Sequence, residues 1–200
     1  AITNEDSAAA EKFLDFIRSY SGKSGHLVLA IMSDVHEEMK ARVRISASLA
    51  FEAVHETIVN PLADRAAPRT TQFNSLFNQV SAYIAKSFYW PFLWLDATCT
   101  PTMPGWRDQM VARYEAQPCP FFGNRMRMKV KTADPNKIAD LFFMAQVGIY
   151  PFNASELMIH DPATPVPINI SSTRMILERF GATKIFQQLA INGEGDLISV

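Results

Sequence analysis

Residues 90–106 read WPFLWLDATCTPTMPGW. A run of large apolar side chains stops at Asp96 and gives way to small polar residues and prolines. So short and aromatic a run, bounded by Pro91 and Pro101, suits a strand buried on both faces, the kind found in parallel sheets. Asp96 then stands at the strand's carboxyl end, the side on which open α/β sheets bind their ligands.

Working outward, TQFNSLFNQVSAYIAKSF upstream spaces Phe73, Leu76, Phe77, Val80, Tyr83 and Ile84 as one apolar helical face. HLVLAIM, residues 26–32, reads as a buried strand, with Ser33 and Asp34 where a helix cap would stand. Residues 35–53 suit a helix, VHETIVNPL a second short strand, and NEDSAAAEKFLDFIRSY a first helix with Phe13, Phe16, Ile17 and Tyr20 on its apolar side. Downstream, Pro104-Gly105-Trp106 opens another helix, because proline is tolerated in a first turn. PFFG reads as a short strand. RMRMKVK then alternates with period two, setting Arg125, Arg127, Lys129 and Lys131 on one face. That face reads first as a charged edge strand that resists aggregation, and second as a phosphate-contacting surface. ADLFFMAQVGIYPF is one more apolar strand, and SSTRMILERFG a capped helix ending at Gly181.

Strands and helices thus alternate through the first two thirds of the chain, which argues for an α/β sandwich with a mostly parallel sheet. With 200 residues, 48% hydrophobic and 20% charged, the chain has the profile of one globular domain. A net charge of −1 gives no general attraction to nucleic acid or anionic membranes. No apolar run reaches the length of a membrane span, and the opening AITNEDSAAAEKF lacks the basic and apolar regions of a signal peptide. Cys99 and Cys119 read as free thiols in a reducing cytoplasm. His26, His36, His55 and His160 have no metal-ligand spacing, although Asp161 beside His160 could orient its imidazole. AIMSDVHEE holds no glycine, so neither a dinucleotide fingerprint nor a P-loop follows the first strand, and no nucleophile elbow is present.

The order of HLVLAIMSD, TQFNSLFNQV and PFLWLDATCTPTMPGWRDQM resembles the nucleotide-sugar-binding domain of GT-A-type glycosyltransferases. In that family a hydrophobic strand ends in Asp-x-Asp, a proline follows, and Pro-Gly-Trp opens the next helix. With MAQVGIYPFNASEL downstream, the chain is more specifically similar to glycosyltransferase-like proteins of tailed phages linked to DNA base hypermodification. The resemblance covers residues 25–180. It implies an α/β, GT-A-like (Rossmann-like) three-layer sandwich with a mostly parallel central sheet. A single domain over 1–200 would comprise an N-terminal helix (1–24), a nucleotide-sugar-binding half (25–123) and an acceptor-side half (124–200).

The activity implied is glycosyl transfer from a nucleotide-sugar donor to a hydroxyl, such as that of a hydroxymethylated pyrimidine in phage DNA in the host cytoplasm. Ser33, Asp34 and Asn74 would face the nucleotide, Asp96 would hold a divalent metal (Mn²⁺ or Mg²⁺) or the ribose, and the acceptor would approach Gln146 to Tyr150. Glu156 is a candidate general base. The motif departs from the family at Thr98, which stands in place of the second aspartate. A hydroxyl is a weaker ligand than a carboxylate for a hard cation, which implies weakened metal affinity. The alternative is a degenerate, non-catalytic domain that binds a nucleotide or a protein partner.

Overall fold

The computed structural model describes residues 2–62, 69–95, 100–101, 104–116, 120–131, 138–157 and 198–199. Helix α1 (Ser7–Ser21) precedes β1 (His26–Met32), α2 (Glu37–Ala50), β2 (Ala53–Val59) and α3 (Arg69–Ser87). These are followed by β3 (Phe92–Trp94), β4 (Thr100–Pro101), α4 (Trp106–Glu115), β5 (Phe122–Lys131), β6 (Ile138–Tyr150), α5 (Ala154–Leu157) and β7 (Ile198–Ser199). No helix among the described residues is long and apolar enough to cross a membrane.

Strands β1 and β2 pair in parallel over seven residues, from His26 opposite Ala53 to Met32 opposite Val59. The second sheet has the order β3-β6-β5 and is antiparallel throughout. β4 and β7 form a short antiparallel pair. The expectation of a mostly parallel sheet therefore holds for β1 and β2 but not for β3, whose described partner is β6. Two-sided burial reflects the layers above and below a strand, not its neighbours' direction. That is why the apolar run at 92–95 misled on this point.

Those layers show in the alternation of side chains. Val28, Ala30 and Met32 of β1 pack into one cluster with Phe77, Val80 and Ile84 of α3, whereas Leu29 and Ile31 pack on the other face with Ala10 and Leu14 of α1 and Val43 and Ala47 of α2. Phe92 and Trp94 of β3 join the α3 cluster, while Leu93 joins Trp106 and Met110 of α4. Helix α3 thus spans both sheets. Phe77, fully buried, holds ring contacts with Phe73, Phe92, Trp94 and Tyr150.

Local sequence explains the helix ends. α1 buries Ala10, Leu14 and Ile17 at helical spacing and stops at Gly22, whose φ of 67° is a left-handed conformation that glycine adopts without strain. Gly105, at φ 71°, makes the corresponding turn into α4, so Pro-Gly-Trp opens a helix as the sequence suggested. Trp106 is buried and its indole N–H donates to Ser21 Oγ at 2.9 Å, tying α4 to the end of α1. Phe122 and Gly123 of PFFG and the whole of RMRMKVK belong to one strand, β5, with a register shift between Gly123 and Arg125. Among the described residues β5 has one strand partner, β6. The helix expected before Gly181, His160 with Asp161, and both cysteines lie outside the described residues.

Candidate functional site

A cleft of about 320 Å³ opens at the carboxyl ends of β1 and β2. Its floor is Met32, and Asp34 stands at the turn that follows β1. Asn60, Pro61 and Leu62, just beyond β2, form one side, and Gln72, Ser75 and Leu76 of α3 form another. Thr3, Asn4 and Glu5, ahead of α1, complete the lining. Carboxylates, amides and hydroxyls dominate, and none of these lining residues is Lys or Arg. Among the described residues this surface offers many hydrogen bonds and no fixed positive charge. It suits hydroxyls and amide edges better than bare phosphates.

Each wall is fixed by a carboxamide that imitates a peptide group. Asn60 N–H donates to Gln79 Oε1 at 2.9 Å, and Gln79 Nε2 donates back to Asn60 O at 3.0 Å. On the opposite side, Asn4 Nδ2 donates to Asp34 O at 3.2 Å, and His36 N–H donates to Asn4 Oδ1 at 3.0 Å. Below the same turn, buried Lys40 donates to Glu37 at 2.7 Å and reaches Ser33 O at 3.5 Å. Behind it, Arg44 forms a two-point pair with Glu56, at 2.6 and 2.7 Å, that joins α2 to β2. Hydrogen bonding from Arg44 holds the Glu56 carboxyl below its ordinary range, and Lys40 does the same for Glu37.

Helix α3 runs away from the cleft while β3 runs towards it. Phe73, beside Gln72 in the first turns of α3, meets Trp94 at the end of β3, and Phe88 beyond the helix meets Trp90 ahead of the strand. Trp90 also meets His26 at the start of β1. The carboxyl ends of β1, β2 and β3 therefore face the same side, although β3 is joined to β6.

Of the residues expected to face a nucleotide, Asp34 lines the cleft. Ser33 is exposed beside it, and its N–H is engaged by Val59 O at 2.9 Å. Asn74 is 0% exposed and packed inside α3's inner face, while Gln72 and Ser75 on either side of it reach the cleft. The helical period explains this placement: Asn74 lies three residues before Phe77 and seven before Ser81, both fully buried. Glu156 is exposed on α5 and does not line the cleft. Tyr150, at the end of the expected acceptor segment, is buried against Phe77 and Phe92, and burial pushes its phenol well above its usual range. Asp96 and Thr98 lie outside the described residues. Among the described residues no three His, Cys, Asp or Glu side chains come together as a metal site.

Sequence reasoning missed Thr3, Asn4, Glu5, Asn60 and Gln72. A polar stripe on α3 at Gln72, Ser75 and Gln79 was the available signal for one wall. Trp94 and Trp106 are core, whereas Trp90 is 62% exposed. No protein-family model matches the chain, and no curated protein or solved structure does.

Proposed function

We propose that the cleft binds a nucleotide sugar and that the chain is a GT-A-like glycosyltransferase domain acting on a hydroxyl acceptor, with a hydroxymethylated pyrimidine of phage DNA as the candidate acceptor. The observation that carries this reading is the cleft at the carboxyl ends of parallel β1 and β2 with Asp34 at the following turn. Ligands of open α/β sheets bind in that place, where loops diverge from the strand ends. The Asp34 carboxylate accepts hydrogen bonds from ribose hydroxyls, and Gln72, Asn60 and Ser75 supply donors and acceptors to a base. In the transfer, the acceptor oxygen bonds to the anomeric carbon as the bond to the diphosphate oxygen breaks. The nucleoside diphosphate leaves with the electron pair, and a base accepts the acceptor's proton.

Glu156, exposed on α5, is the candidate for that base, although it is not among the residues that line the cleft. A divalent cation would serve to neutralise the leaving diphosphate. Among the described residues no three His, Cys, Asp or Glu side chains group as a metal site, and on this reading the cation is assigned to Asp96. The Asp96-Ala97-Thr98 sequence, with one carboxylate where the family has two, favours the second reading of a domain that binds the nucleotide without turnover.

A thermal-shift series with UDP, GDP and their glucose conjugates, with and without Mn²⁺, tests the proposal. At a hundredfold excess over Kd a ligand confined to the folded state adds about 2.7 kcal/mol, a rise of roughly 5–10 °C for a chain of this size. The expected result is a shift lost in Asp34→Ala. Mn²⁺ dependence lost in Asp96→Ala, with transfer of labelled sugar to hydroxymethylated DNA, distinguishes the enzyme from the non-catalytic domain. No shift with any nucleotide would overturn both.

A further inference from the structure

The first residues of the chain continue the edge of β1. Ile2 N–H donates to Ala30 O at 2.9 Å, and Met32 N–H donates to Ile2 O at 3.0 Å, a parallel bridge centred on Ile31. Two residues on, the side chain of Asn4 takes over the pattern, with Nδ2 donating to Asp34 O and Oδ1 accepting from His36 N–H. The second pair of partners, carbonyl 34 and amide 36, has the same two-residue spacing as the first, carbonyl 30 and amide 32. β1 itself ends at Met32. The Asn4 carboxamide therefore acts as one extra rung, binding the turn that carries Asp34 after the backbone has left the sheet.

The rest of the segment is shaped to present that side chain. Ile2 is buried with Leu29 and Ile31, which anchors the start. Thr3 Oγ1 accepts from Asp6 N–H at 3.1 Å and donates to Asp6 Oδ2 at 2.7 Å, while Ser7 Oγ donates to Asn4 O at 3.0 Å. These bonds turn the chain into α1 directly after Asn4. Thr3, Asn4 and Glu5 thereby face the cleft that Asp34 also lines.

We propose that residues 2–5 form a built wall of the ligand cleft and that Asn4 is a positioning residue, fixing Asp34 for ligand through its two hydrogen bonds to the 34–36 turn. The consequence for binding rests on the nucleotide-sugar reading above. The fixing of the turn does not. Asparagine suits the task because one carboxamide offers a donor and an acceptor in the spacing of a peptide group. Aspartate keeps only the acceptor, and alanine neither.

Hydrogen exchange on the ligand-free protein tests the fixing. Asn4→Ala should speed exchange of the His36 amide and the 33–36 turn, Asn4→Asp should retain protection at His36, and the exchange of β1 should stay as in the native chain. Unchanged exchange at 33–36 in Asn4→Ala would overturn the proposal. Binding of UDP and GDP by calorimetry, at a temperature where every variant is folded, tests the consequence. Asn4→Ala should raise Kd about tenfold in the native background, the effect of losing about one net hydrogen bond, and have no further effect in Asp34→Ala. An equal loss in both backgrounds, or native affinity in Asn4→Ala, would overturn Asn4's action through Asp34. If the native protein binds neither nucleotide while the exchange result holds, the nucleotide-sugar reading fails and the built wall stands.

Discussion

Replacing Phe77 by alanine should cost about 3–5 kcal/mol, because this ring joins elements that backbone hydrogen bonds leave separate. β1 and β2 form one described sheet and β3, β6 and β5 another, yet Ala30, Val59, Trp94 and Tyr150 share a single cluster around α3. Phe77 is 0% exposed at its centre, with ring centroids 5.0 Å from Tyr150 and 5.1 Å from Trp94. Burying a phenylalanine removes on the order of 150 Å² from water, near 4 kcal/mol at about 25 cal/mol per Å². Alanine recovers little of that, and four rings around the vacated space cannot all collapse into it. Against a typical total of roughly 5–15 kcal/mol, the variant should be marginal at room temperature. Urea unfolding read by fluorescence, with an unchanged denaturant slope, measures the difference. Val111→Ala, at a position 51% exposed, is the control and should stay within about 0.5 kcal/mol. A Phe77→Ala loss below about 1 kcal/mol would refute the idea that α3 fastens the two sheets together.

The Arg44 and Glu56 pair should matter modestly and only above acid pH. Glu56's carboxyl is held below its ordinary value, so its contribution is complete above the unfolded value near 4.3 and lost as pH falls through the folded one. Because the Arg44 side chain is 42% exposed, Glu56→Gln should cost under about 1 kcal/mol at pH 7 and nothing near pH 2 in matched urea melts. Tyr150 has the opposite sign: burial raises its phenol, so its contribution is intact below about pH 10 and declines as the unfolded chain ionises above it. Ultraviolet titration should show one tyrosine ionising only on alkaline unfolding, an effect absent from Tyr150→Phe. Asp34→Asn removes charge but keeps shape, and should weaken UDP or GDP binding several-fold in calorimetry while leaving the melting temperature of the free protein within about 2 °C.

The local elements were legible because their residues carry strong period signals. HLVLAIM is β1 residue for residue, and the Phe73 to Ile84 stripe is the buried side of α3. Pairing was less legible. Nothing in PFLWL reveals whether its neighbour runs with it or against it, since both arrangements bury the same side chains. The location of Asp34, at the turn after β1, follows from the strand just before it. Asn74 shares the buried phase of Phe77 and Ser81, which a reading of its neighbours' spacing makes visible. The wall from Thr3 to Glu5 left no trace in the pattern, because one bridging residue has no period and its partners lie about thirty positions away.

The central claim is that ligand enters at the carboxyl ends of β1 and β2. Amide chemical-shift mapping of the isotope-labelled protein during titration with UDP and GDP tests it most directly. The account predicts saturable changes concentrated at Thr3 to Glu5, Asp34 to His36, Asn60, Leu62 and Gln72 to Leu76, and silence at His26, His55 and Trp90, at the opposite strand ends. Changes centred on that opposite end, or none with either nucleotide, would contradict it.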